Sequence, residues 1–138
     1  MGSYVGVLEW LGKMIKYETI EPISRVQAEH LLAKEDRETI CPTLLRVALH
    51  EPDRHWAQSQ CLRFASHKDS FVRGVAVTCL GHLARTHKAI DEDEVIPVVR
   101  QLLHDRDPQT RSIAEDTISD FSIYLGWNKR KIKKLLAA

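Results

Sequence analysis

Three residue types in this 138-residue sequence have the chemistry to act on a ligand, and spacing is the first test of each. The seven histidines raise the question of a metal site. His50 and His55, like His82 and His87, stand five positions apart, which on a helix turns the second side chain about 140° from the first. Neither pair shares a face as two ligands on one helix must, and no Cys-x-x-Cys completes a site. Solvated or capping histidines are therefore expected, with no metal and no cofactor. Cys41, Cys61 and Cys79 could serve as nucleophiles, yet each falls on an apolar stripe, where burial keeps a thiol protonated and unreactive. Their odd number suits free thiols in a reducing cytoplasm better than a disulfide framework. The six glycines form no G-x-G-x-x-G and no phosphate loop, and G-x-S-x-G is missing. No catalytic residue emerges, so the expectation is a protein that binds and does not catalyse.

Charge is the remaining chemistry. The 20 Lys+Arg and 19 Asp+Glu leave a net charge of +1, which steers the chain toward neither nucleic acid nor membrane. The balance is uneven along the chain. Residues 127–138 carry Lys129, Arg130, Lys131, Lys133 and Lys134 with no acid, so the preceding body is acidic. This tail reads as an amphipathic helix capped by Asn128. It could meet nucleic acid or an anionic membrane surface. The preferred reading is that Ile132 and Leu136 shield the end of the fold and the lysines are solvated. Met1–Gly6 lacks a positive run and Glu9 interrupts the nearby apolar stretch, so no signal peptide is expected. No window of 18 uncharged residues exists to span a bilayer.

The elements that must position these residues all show a helical period. Phe71, Val72, Val75, Ala76, Cys79, Leu80, Leu83 and Ala84 follow i, i+1, i+4, i+5, a stripe no strand can use. Similar stripes run through Val95–Leu103, Ile113–Leu125, Trp56–Ala65 and Ile40–Leu49. Weaker ones cover Val26–Leu32, Val5–Ile15 and Ile132–Leu136. Asp53, Asp69, Asp91 and Asp107 precede stripes and are positioned to cap them, while Pro42, Pro52 and Pro108 are placed in first turns. Connections of about two to six residues leave no linker, and 138 residues suit one domain. With 43% hydrophobic residues, a packed core is affordable without disulfides.

Self-comparison shows a repeat. A shift of 38 superposes Asp69, Val72, Arg73, Ala76 and Leu80 on Asp107, Thr110, Arg111, Ala114 and Ile118, and pairs Cys61, Phe64 and Ala65 with Val99, Leu102 and Leu103. Stacked helix pairs of this kind bury a continuous core that one pair cannot. The stretch Val95–Arg111, with Pro97 in its first helix, an Asp-rich turn, and Arg111 opening the next helix, resembles a HEAT repeat. Asp69-Ser70-Phe71-Val72-Arg73 through Leu80-Gly81 resembles the turn and second helix of another copy. The likeness is best over residues 53–121, and Cys41-Pro42-Thr43-Leu44-Leu45 resembles a further proline-bearing first helix.

The resemblance implies an all-α, right-handed α-α superhelix of about three helix pairs, forming a single domain over 1–138. It implies that Arg73 and Arg111 bond turn aspartates of their own or the next repeat; the alternative is a row of arginines for an anionic partner. It also implies a concave face formed by second helices. On that face lie Gly74, Val77, Thr78, His82 and Arg85, then Ser112, Glu115, Asp116, Ser119, Asp120 and Ile123. The candidate partner-binding set is Thr78, His82, Arg85, Ser112, Glu115, Asp116, Ser119 and Asp120. Its acids would meet a basic protein. A small acidic solenoid suits an immunity protein masking a toxin in the cytoplasm. The alternatives are a nucleic-acid-binding or DNA-base-processing protein and a membrane-surface adaptor.

Overall fold

The computed structural model describes residues 6–137, apart from the Tyr17 side chain. Val5 of the first stripe, most of Met1–Gly6 and Ala138 of the tail lie outside the described residues. All regular elements among those described are helices. They run α1 (Val7–Tyr17), α2 (Arg25–Leu32), α3 (Arg37–His50), α4 (Arg54–Phe64), α5 (Ser70–His87), α6 (Glu92–Leu102), α7 (Pro108–Leu125) and α8 (Lys129–Leu136). The protein is all-α.

Most helices start where an acceptor side chain meets the orphan amides of a first turn. The amides of Gln27, Thr39, Trp56, Phe71, Thr110 and Lys131 donate to Ser24, Asp36, Asp53, Asp69, Asp107 and Asn128 at 2.8–3.1 Å. Asp91 departs from the expectation. It sits at the N-cap of α6 but makes no capping bond, because its carboxylate is drawn off by Gln58, His55 and Arg54. The prolines also divide. Pro108 opens α7. Pro52 lies outside a helix, before the Asp53 cap, and Pro42 falls inside α3. Asp36 begins α3 upstream of that proline by taking both the amide and the hydroxyl of Thr39.

Helices α3, α5 and α7 form one layer, with α5 against both neighbours. Thr110 Oγ1 reaches Ser70 O at 3.5 Å and Thr117 Oγ1 donates to Val77 O at 3.1 Å. Both contacts join residues 40 apart, and a constant offset means that α5 and α7 run parallel. Helices α2, α4 and α6 pack on α3, α5 and α7 as an outer layer, giving three pairs. This corrects the placing of Cys41–Leu45: α3 is the second helix of its pair, with α2 as the first. Arg37 bonds Asp69 as Arg73 bonds Asp105, which marks α3 and α5 as equivalent.

A single core cluster threads the stack, with Leu32, Ile40, Leu44, Leu80, Ile113 and Phe121 among its fully buried members. All three cysteines are buried and free. Burial pushes the Cys41 thiol up to about 12, and contact with the Cys61 thiol, together with burial, pushes Cys79 well up. Thiols so held are poor nucleophiles.

Two terminal helices close the stack. Helix α1 lies across the inner layer, with Val7 and Leu11 buried and Trp10 edge-on to Phe71 at 5.7 Å. It is seated over Gly74, where a Cβ would come 3.0 Å from Val7 and 3.2 Å from Ile113. The following segment lies along α3, where Arg46 donates to Glu21 O and Pro22 O, both at 2.9 Å. At the other end Trp127 is buried edge-on to Phe121 at 5.3 Å, and Ile132, Leu135 and Leu136 of α8 pack on the core. Arg100 reaches Leu135 O, and Lys131 pairs with Glu92 at 3.2 Å.

Candidate protein-binding site

With α1 over the start of α5 and α7, the inner layer stays open along the outward side of α7 and the second half of α5. Two residues expected on this face are not there. Gly74 lies beneath α1, and Val77 is fully buried against α7, its carbonyl taken by Thr117. Both lie off the apolar stripe of α5, whose spacing does not show that α1 covers Gly74 and that α7 covers Val77. Thr78 and His82 form a half-buried floor, with Arg85 exposed at its end. Ser112, Glu115, Asp116 and Ser119 are exposed along α7, Asp120 is half-buried, and Ile123 is 70% exposed. Their spacing of three and four makes a continuous ribbon on one side of α7.

Across from Gly81 of α5 lies Asp120 of α7. A Cβ on Gly81 would stand 2.8 Å from an Asp120 carboxylate oxygen, so glycine lets the acid tuck against α5. Burial there, reinforced by Asp116, raises the Asp120 carboxyl, while Arg85 opposes the rise. His82 lies beside these groups. Burial lowers its pKa to about 4, Arg85 adds to the effect, and the ring is neutral at neutral pH. Arg85 approaches His82 Nδ1 at 3.4 Å, while Nε2 is buried without a partner. Ser119 spends its hydroxyl on Glu115 O at 3.4 Å. The arrangement is an acidic ribbon of Glu115, Asp116 and Asp120 beside one cation and a neutral imidazole. It is suited to complementing positive charge on a protein surface.

The arginines take a structural course. Arg73 holds Asp105 of the next pair through Nε at 2.9 Å and Nη2 at 2.8 Å, and its Nη1 donates to His67 O and Lys68 O. Burial alone would raise the Asp105 carboxyl, but the Arg73 fork outweighs it and holds the group low. Arg37 makes the same fork to Asp69 at 2.8 Å for both bonds. On the opposite edge Arg25 meets Asp53 at 2.7 Å and Arg54 meets Asp91 at 3.3 Å. Arg111 differs: its Nη1 donates to Asp105 O and Arg106 O at 2.7 and 3.3 Å, without a carboxylate. Sequence reasoning missed Arg37, because α3 had been assigned to the other layer; the 32-residue Arg-to-Asp separation shared by both forks is the signal that finds it.

In the tail, the apolar side of α8 is turned onto the core, leaving Lys129, Arg130, Lys133 and Lys134 exposed. No helix among the described residues is long and apolar enough to cross a membrane.

No model of a known protein family matches the sequence, and no curated protein matches it either. Among solved structures the chain is similar to one from a CDI (contact-dependent inhibition) complex of Cupriavidus taiwanensis. The two are 29% identical with a TM-score of 0.68, over 79% of this chain and 96% of the other.

Proposed function

We propose that this chain is an immunity-type protein: a HEAT-like stack that binds a basic, toxin-like protein in the cytoplasm and masks it by contact, without catalysis. The observation that carries the reading is the likeness, over 79% of this chain and 96% of the other, to a protein taken from a CDI complex. The exposed acids of α7 support it, since an unneutralised carboxylate row raises the encounter rate with a positive surface and orients it on arrival. The partner's side of the contact is basic groups meeting Glu115, Asp116 and Asp120, with an apolar group over Ile123.

The test is a titration calorimetry measurement with the toxin-like protein that co-purifies with the chain from its host. Glu115→Lys and Asp116→Lys together with Asp120→Asn lower affinity at least a hundredfold and end protection of growing cells. Reversing Lys129, Arg130, Lys133 and Lys134 to glutamate leaves both within twofold. Undiminished binding by the α7 variant moves the contact off this ribbon and sinks the assignment.

A further inference from the structure

The outer layer is closed at one end and open at the other. At their N-terminal ends α4 and α6 are sewn together: Gln58 Nε2 donates to Asp91 at 3.0 Å and Glu94 at 3.1 Å, the Asp91 amide donates to Gln58 Oε1 at 2.9 Å, and Arg54 pairs with Asp91. Among the described residues no hydrogen bond or ion pair joins the C-terminal halves of the two helices. A cleft of about 530 Å³ opens between them, walled by Leu62 of α4, Ala65 just after it, and Val98 and Leu102 of α6.

The polar part of this cleft has one sign. Asp105 is the sole acid in its lining, and Arg73 neutralises it with a two-bond fork at side-chain exposures of 10% and 12%. What remains at the rim is cationic: Lys68 and Arg106 are exposed, with His104 exposed beside them. His67 turns its Nδ1 inward to accept the Asp69 amide.

We infer that the cleft between α4 and α6 is a second docking site, one that receives an acidic segment of another protein carrying apolar side chains. Leucine or isoleucine side chains of that segment fill the space between Leu62 and Val98, and flanking carboxylates meet Lys68 and Arg106. The cleft is partly open to solvent, which suits an extended segment of a protein more than an enclosed small ligand. Its apolar walls favour a peptide over a nucleic acid: no Phe, Tyr or Trp lines the cleft for a base to stack on, its rings being the imidazoles of His67 and His104. The occupant's charge is opposite to that expected of a partner on α7. The two sites therefore select different proteins, or different faces of one, and this site stands whether or not the α7 ribbon binds.

Selection of random displayed peptides on the intact chain tests the inference, followed by amide shift mapping with the best peptide. The expected result is enrichment of sequences mixing Leu or Ile with Asp or Glu, and shifts centred on Leu62, Lys68, Val98 and Arg106. Lys68→Glu with Arg106→Glu weakens binding of that peptide at least tenfold. Val98→Glu, checked for an unchanged circular dichroism spectrum, does the same. Glu115→Lys with Asp116→Lys leaves it within twofold, which separates failure here from failure at α7. Failure to enrich any acidic peptide, shifts confined to α5 and α7, or tighter binding of an oligothymidylate probe that the Lys68 and Arg106 changes abolish would overturn it.

Discussion

The side chains of Arg73 and Asp105 are 12% and 10% exposed, and their two parallel hydrogen bonds tie one helix pair to the next. Removing one partner of such a pair strands the other in a poorly solvated place. Arg73→Ala is expected to cost about 2–3 kcal/mol in a urea titration, and Arg73→Lys to recover little, because an ammonium cannot form the fork. His82 gives a pH signature. Its folded pKa of about 4 lies below the ordinary value of 6.5. The unfolded chain thus binds a proton that the folded chain refuses. The His82 contribution is complete above about pH 6.5 and drains away as pH falls toward 4, by up to about 3 kcal/mol. A ring titration followed by NMR should place His82 near 4, and His82→Gln should flatten the stability profile between pH 6.5 and 4. The Arg73 interaction was legible from its place after a repeated aspartate. The state of His82 was not, because it depends on burial against helices that are distant in sequence.

Periodic stripes carried most of the information about elements: each of the eight stripes became a helix, and the aspartates and Asn128 marked most of the starts. Which layer a helix joins was harder to read. Pro42 drew α3 toward the wrong role, since a proline inside a helix removes one bond without saying which neighbour the helix faces. The crossing of α1 was equally hidden, because its docking depends on the absence of a side chain at Gly74. Gly74→Leu is expected to lift α1 off α5 and α7 while the three pairs stay folded. Loss of the Trp10–Phe71 contact should then appear as a red-shifted tryptophan emission, with new protease cleavage in residues 18–24. At the end of α7, Gly126 holds φ at 70° with open space around its Cβ position. Gly126→Ala should therefore lower stability by about 1 kcal/mol through the backbone alone.

At the scale of the molecule, the ends decide what the middle can show. One end is covered chiefly by Trp127, which precedes α8 and is 6% exposed against Phe121. Trp127→Ala should cost about 3 kcal/mol and lower the thermal midpoint, whereas charge changes at Lys133 and Lys134 should leave the midpoint unmoved. The candidate α7 site was legible as far as its exposed acids, since helical spacing alone sets Ser112, Glu115, Asp116 and Ser119 on one side. The cleft between α4 and α6 was not, because it depends on how far two non-adjacent helices splay. Arg111 has a further consequence. It is braced on the carbonyls of its own turn, as Arg73 is, yet without a carboxylate beyond it. The architecture thus carries a ready coupling for growth. A designed hairpin grafted in place of α8, with an aspartate 32 positions after Arg111, would lock on by the bond geometry already used twice upstream, making the protein a template for longer modular binders.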